Sequence, residues 1–262
     1  MPSAAPSRLT DDLWLAAHDG AGGRPTIGDR PLGVGLATGL LAELVHGGFL
    51  ELLEGELFRT GAWLPDDPAL RPVLAKMEAE ERSWPPPQPG PSTQAWADAR
   101  VRLPGTPART RPGQYGWSPP VLGEGRQRSR GHELGTWMSY LAYEQRAEQR
   151  VIDRLTRAGL VTLEKRRWWP RSPTERYVPY DSTVAGNPGN TISTALQRGL
   201  MLSTSELVLA GLMLATGLHH HALATLTPAE RSVLGQRLSG LDAMSRELLR
   251  AADAAVGEAA MR

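Results

Sequence analysis

The sequence predicts a mainly α fold. It reads as a single globular helical domain over residues 1–262, with short β-hairpins, one of them projecting, and a Pro/Gly/Arg-rich loop insertion over residues 85–130. Three observations predict it. Apolar residues recur at helical spacing in several long stretches. Twice, a helical stretch stops at glycine and is followed by two short apolar runs that read as paired strands. Between those two units the composition shifts abruptly to proline, glycine and arginine, which predicts a flexible loop.

Thr10 is an N-cap residue ahead of Leu13, Trp14 and Ala17, which predicts a helix over residues 10–18. The run "DGAGGRPTIGDRP" reads as a loop. Leu36, Leu40, Leu41 and Leu44 then recur at helical spacing, and Gly47 and Gly48 can end that helix in a left-handed conformation. "FLELLEGELFRT" reads as two short strands turning near Glu54 and Gly55. "DDPALRPVLAKMEAEERSW" reads as a helix capped by Asp66 or Asp67. Within the insertion, "TQAWADAR" has the character of a short helix, and Trp84, Trp96 and Trp117 are expected to pack parts of it onto the body.

Helical periodicity returns with "ELGTWMSYLAYEQRAEQRVIDRLTRAGLVTLE", where Leu141, Val151, Ile152 and Leu155 form the apolar set and Gly159 is the stop. "LVTLE" and "RYVPYD" make a second hairpin. "NTISTALQRGL" is helical. "STSELVLAGLMLATGLHHHAL" follows, capped by Ser203 or Ser205 with Glu206 at the capping-box position. That helix is apolar nearly all round, which places it at the centre of the core. The closing stretch from Thr227 has the N-cap, Pro228 at the first helical position and Glu230 three residues on.

Composition excludes several function classes. The chain has 29 basic and 28 acidic residues and a net charge of +1, so any basic patch must be local. Of the basic residues only Lys76 and Lys165 are lysine. There is no cysteine, which removes disulfides, thiolate catalysis and cysteine zinc sites. The start, "MPSAAPSRLTDDLW", lacks the apolar run of a signal peptide, and no apolar run of about 20 residues exists to span a bilayer. The chain is expected to be cytoplasmic, peripheral to the inner face of the membrane.

No catalytic constellation stands out. His219, His220 and His221 would point about 100° apart on a helix and cannot all reach one metal; a helix C-terminal turn is their expected place. His18-Asp19 reads as a helix end, and Asp11-Asp12 as acidic residues at a helix start. "GVGLATG" lacks the lysine and spacing of a phosphate-binding loop, and no G-x-S-x-G is present. No cofactor, no metal and no catalytic residue is expected. The unusual feature is the turn of the second hairpin, where Trp168 and Trp169 sit among Lys165, Arg166, Arg167, Arg171 and Arg176. Exposed tryptophan suits a membrane interface, a protein interface or base stacking, and the arginines suit anionic headgroups or phosphates.

The order of "LGVGLATGLLAELVHGGFLEL", "RLTRAGLVTLEK", a turn, "RYVPYD" and "SELVLAGLMLATGL" resembles the Golgi phosphoprotein 3 family, whose bacterial members occur in actinobacteria. The resemblance covers most of the chain outside the insertion, and the two Gly-terminated helix–strand units carry it. It implies a helical, non-enzymatic adaptor that binds anionic membrane lipid, recruits an unknown protein partner and carries a projecting hairpin for membrane insertion or self-association. The apolar tip then falls on Trp168 and Trp169, with Arg166, Arg167, Arg171 and Arg176 as lipid contacts. The family's phosphoinositide-headgroup tryptophan and arginines fall on Gly28, Ala37, Gln145 and Glu148 here, so those residue types are absent. The resemblance leaves Arg30, Arg146 and Arg150 as the nearby headgroup contacts, and a general anionic-lipid contact as the expectation. Three other readings stand beside it: a hairpin-mediated oligomer or protein-interaction module, a winged-helix-like DNA-binding regulator, and an enzyme of small-molecule metabolism using His219, His220 or His221. Glu144, Glu148 and Asp153 on the helix before the second hairpin oppose phosphate, so no nucleic acid is expected.

Overall fold

A computed structural model describes residues 8–20, 22–61, 63–84, 130–166 and 174–260. Its centre is a helix of unusual composition. Helix α2 (Asp29–His46) buries residues on every side, including Leu36, Ala37, Leu40 and Leu41 at 0 % exposure. A helix apolar all round must be enclosed by others. Helix α1 (Leu9–Ala17) packs against it, as do α4 (Leu134–Ala142), α5 (Arg146–Arg157), α7 (Thr204–Ala215) and α10 (Ala243–Ala260). The glycines of "GVGLATG" make this possible. A Cβ on Gly39 would collide with the Thr10 methyl of α1, and one on Gly35 would lie 2.7 Å from the Thr216 methyl. The motif serves close helix packing, not phosphate.

The remaining helices are α3 (Arg71–Ser83), α6 (Ser182–Gln197), the short α8 (His219–Ala222) and α9 (Pro228–Ser239). Strands β1 (Leu50–Leu53) and β2 (Glu56–Arg59) pair antiparallel with Leu53 opposite Glu56, placing the turn at Glu54 and Gly55. β3 (His132–Glu133) adds to β2. β4 (Val161–Arg166) and β5 (Thr174–Pro179) form a separate antiparallel hairpin, from Val161 opposite Pro179 to Arg166 opposite Thr174. The mainly helical class with short hairpins, one projecting, is therefore observed. Both helix-then-hairpin units end in the same way. Gly48 and Gly159 sit at φ +73° and +71°, and the next residue donates back into the helix, Phe49 to the Leu44 carbonyl and Leu160 to the Leu155 carbonyl. That is the Schellman geometry, which only glycine adopts without a Cβ penalty.

Several elements differ from the expectation. The stretch after residue 132 is two helices, not one: α4 and α5 are broken at Tyr143–Gln145, where Glu144 and Gln145 have φ of +51° and +57°. The closing stretch is likewise two helices, divided at Gly240 and Leu241, with Asp242 bonding the Ser245 amide at 2.9 Å to start the second. The histidines form their own short helix beyond Gly217 (φ +77°), rather than the last turn of α7. Asp67 accepts from the amides of Ala69 and Leu70 and so caps the turn ahead of α3 instead of the helix itself. Helix α6 begins at Ser182, eight residues before the periodic segment, because Asp181 caps it by accepting from the Thr183 amide; Pro188 lies inside the helix. Ser203–Glu206 and Thr227–Glu230 are capping boxes as expected. The short helix expected at residues 93–100, and Trp96 and Trp117, lie outside the described residues.

The body is clasped by one buried cation. Arg154 of α5 is 4 % exposed. Its guanidinium donates to Asp11 Oδ1 at 2.8 Å and Glu43 Oε2 at 2.9 Å, and lies 3.2 Å from Asp67 Oδ2; it also donates to the Thr10 hydroxyl. Thr10 in turn gives its amide and hydroxyl to Glu43. Arg8 supplies a second cation, on Asp67. Burial disfavours the charge of Arg154, but Glu43, Asp11 and Asp67 outweigh it and push its pKa up. Three carboxylates still exceed two guanidiniums. Asp11, desolvated and beside Glu43, is pushed up to about 6 in spite of Arg154.

Arg154→Met should destabilise the fold by about 3–5 kcal/mol, the range for removing one partner of a buried ion pair, as read by urea denaturation. Asp11 gives a sign-specific pH effect. Its folded pKa lies above its ordinary 3.8, so its contribution to stability is fully present below pH 4 and lost as pH rises through about 6. Asp11→Asn should therefore gain on the native chain as pH rises from 4 to 7 in paired thermal melts; a constant offset would contradict the raised pKa.

Candidate membrane-contact hairpin and a separate cavity

The β4–β5 hairpin leaves the body at a well-anchored root. Leu160 accepts from the Tyr180 amide at 2.8 Å, and Val161 and Val178 are buried. Gly23 lies so close beneath β5 that a Cβ would strike the Tyr177 carbonyl and Val178. Beyond the root, burial falls quickly. On one face Val161 is 2 % exposed, while Leu163, two residues and about 7 Å outward, is 40 % exposed. Leu163 stands directly opposite Tyr177, and Tyr180 at the root is 75 % exposed. This outward apolar pair is not among the features singled out from the sequence, although the alternation running outward from Val161 carries it. On the other face Glu164 pairs in register with Arg176, which is half-buried. An opposite charge directly across a strand pair attracts, so Arg176 meets a carboxylate before it meets any ligand. Arg166 lies in β4 opposite Thr174 in register. Arg167, Trp168, Trp169 and Arg171 lie outside the described residues.

The family's headgroup positions do not form one basic pocket here. Gly28 is the N-cap of α2, and Ala37 is buried inside the same helix. Glu148 accepts from the Trp14 indole at 3.2 Å. Trp14 stacks on His18 with ring centroids 3.8 Å apart, and His18 Nδ1 lies 2.7 Å from the Trp14 carbonyl, which makes Nδ1 the protonated nitrogen. Burial pushes the His18 pKa down and the Glu148 carboxyl up, so the pair, 3.9 Å apart, is held toward its neutral forms. Gln145 is exposed. It lines a cavity of about 560 Å³ together with Asp29, Arg30, Tyr143, Glu144 and Glu258, over Val34, Met138 and Ala142. Of the three arginines expected to contact a headgroup, Arg30 alone lines this cavity. Arg146 stacks over the rings of Tyr140 and Tyr143 at 4.6 and 5.2 Å and pairs with Glu144 at 3.0 Å. Arg150 donates to the Arg146 carbonyl. With three carboxylates and one guanidinium, the cavity favours cations over phosphate.

Other constellations resolve into structure. His46 Nε2 is 3.0 Å from the Ser245 hydroxyl, which donates to Asp242 at 2.6 Å. The carboxylate holds the serine rather than the imidazole, and Ser245 is fully buried, so the arrangement caps a helix and offers no nucleophile. The His219 and His220 rings lie 4.0 Å apart and tilted by 38°, and burial followed by His220 lowers the His219 pKa. Among the described residues no group of three or more histidines or carboxylates could hold a metal. No helix among them is long and apolar enough to cross a membrane.

Two adjacent non-glycine residues at positive φ border the cavity. Each such residue costs about 1–2 kcal/mol from Cβ crowding. Gln145→Gly should therefore raise stability, by about 0.5 kcal/mol once the added chain entropy of glycine is subtracted. Urea titration of the variant measures it, and a loss of stability would mean that the Gln145 side chain holds the kink.

A family model described as Golgi phosphoprotein 3 (GPP34) matches residues 9–103 and 97–261 of the chain. Comparison with curated proteins gives no match.

Proposed function

The chain belongs to the Golgi phosphoprotein 3 family, and from that premise we propose that it is a non-catalytic adaptor that docks peripherally on anionic membrane through the β4–β5 hairpin. Family membership fits an adaptor. The observation that carries the finer reading is the outward gradient of the hairpin: buried Val161 at the root, then exposed Leu163 across from exposed Tyr177, leading in sequence to Trp168 and Trp169. An indole fits the headgroup layer, and each nearby basic side chain adds about 1 kcal/mol at an anionic surface. Arg166, Arg167 and Arg171 would meet headgroups at the tip, with Arg176 sharing its charge with Glu164. Arg30, Arg146 and Arg150 are at most auxiliary, since carboxylates surround the first and Glu144 engages the second. The lipid is thus defined by net charge rather than by a specific headgroup.

The regulator reading is weaker on a specific ground. The helix before a wing would have to offer its cations to phosphate, yet α5 turns Arg154 inward to three carboxylates. Self-association through the hairpin remains the competing role for the tryptophans.

Co-sedimentation with vesicles tests the proposal. The native chain should bind vesicles containing phosphatidylglycerol and not neutral ones, and binding should fall steeply with salt. Trp168→Ala/Trp169→Ala should abolish it without altering the melt. Unchanged binding by the variant would overturn the role of the hairpin, and a change in solution mass instead would assign the tip to a second copy of the chain.

A further inference from the structure

The geometry points to the cavity framed by α2, α4 and α10 as a binding site for a small organic cation, an ammonium or guanidinium group carried on an apolar body. The site takes no residue from the β4–β5 hairpin, and its occupancy requires no membrane.

The charges around the cavity do not cancel. Glu144 is paired with Arg146 at 3.0 Å. Asp29, Arg30 and Glu258 make no ion pair with another described residue. Asp29 and Arg30 are neighbours on the first turn of α2, about 100° apart around its axis, so they do not face each other. Two carboxylates thus stand against one guanidinium, an excess of one negative charge. The two are not equivalent. Asp29 lies at the start of α2, where the helix dipole favours its charge. Glu258 lies in the last turn of α10, where the dipole is negative and no basic residue shares the turn. Glu258 is therefore the carboxylate that gains most from a cation.

The rest of the lining sets what the cation must carry. Met138 and Val34 form the floor at 2 % and 9 % exposure, with Ala142 and Ala255 half-buried beside them. Tyr143 makes an aromatic wall and is 62 % exposed. A cation already lies over that ring, the Arg146 guanidinium at 5.2 Å from its centroid. A second charge is repelled there, so the cation of the ligand belongs at Glu258 and Asp29, and its apolar body against Tyr143 and the floor. A hydrated inorganic ion gains nothing from an apolar floor, and two free carboxylates are too few for a divalent ion that takes about six oxygens. The volume, about 560 Å³, suits a small molecule. The break between α4 and α5 supplies the wall and rim, since Tyr143, Glu144 and Gln145 all line the cavity.

A second cavity, also about 560 Å³, opens one to two turns earlier along α4 and α10. Glu56 of the first hairpin, Glu133 and Glu247 line it with Arg250, so it too is acidic, but no aromatic residue is among its described lining. It offers acid without the aromatic wall and serves as the control.

Three probes of near-equal size and opposite charge test the site on the full-length chain: 3-phenylpropylammonium, 3-phenylpropanol and 3-phenylpropanoate, titrated by saturation-transfer NMR. The ammonium should saturate with a dissociation constant on the order of 1 mM, as expected for a ligand of about ten heavy atoms. The alcohol should bind about tenfold more weakly, and the carboxylate should not saturate. Glu258→Gln should weaken the ammonium about tenfold, the effect of losing a hydrogen bond to a charged group. Arg30→Gln should tighten it, by removing the opposing charge. Both positions are exposed, so thermal melts should match the native chain. Glu247→Gln, in the second cavity, should leave the affinity unchanged. Equal affinity for ammonium and alcohol would overturn the assignment of a cation. Loss of binding in Glu247→Gln but not in Glu258→Gln would overturn the assignment of the cavity. No saturation by the ammonium at about tenfold the expected constant would overturn the site altogether.

Discussion

The architecture depends on Arg154. A guanidinium taken from water loses solvation worth several kcal/mol, and only partners of fixed geometry repay it. Here those partners come from α1, α2 and the turn before α3, while the arginine itself comes from α5. Four pieces of chain remote in sequence must therefore arrive together or leave a charge uncompensated. Hydrophobic burial around α2 is larger in total but tolerates sliding; the ion cluster does not. It fixes where α5 sits, and α5 fixes the root of the projecting hairpin at one end and the kinked rim of the cavity at the other.

The excess of carboxylate in that cluster recurs on the surface. Asp29, Glu144 and Glu258 surround Arg30 in one cavity, and the first hairpin and α10 add more acid in the next. A chain with a net charge near zero has thus been sorted into an acidic body and basic segments, the hairpin tip and residues 85–129. A basic tip suits an anionic surface, and an acidic body keeps the rest of the molecule from lying flat on it.

Much of the fold was legible in sequence because its signals are local. Gly48 and Gly159 announce their stops, Glu54-Gly55 its turn, and Ser203 and Thr227 their capping boxes. The α4–α5 break was not legible. Nothing in "AYEQRAE" breaks a helix, and the kink is imposed by packing, with Arg146 laid over Tyr140 and Tyr143. Arg154 was equally hidden. In sequence it is one arginine among many on a helix of strong polar character, and its burial follows only from carboxylates more than 80 residues away. For the site, the family resemblance pointed to the β4–β5 hairpin and to Arg30 and Gln145, which line one cavity. It could not show that the cavity carries acid, because that charge comes from α2, α4–α5 and α10 together.

The short connection between α5 and β4 has a mechanical meaning. Only Ala158 to Leu160 separate the helix that bears Arg154 from the first strand of the hairpin, and those residues are bound back into the helix end. Among the described residues no compliant linker lies between α5 and β4. A force applied at the tip is carried as torque along β4 into α5 and resisted by the ion cluster at the molecule's centre. The hairpin is a rigid lever, and the angle at which the body stands over whatever the tip grips is set by the fold itself.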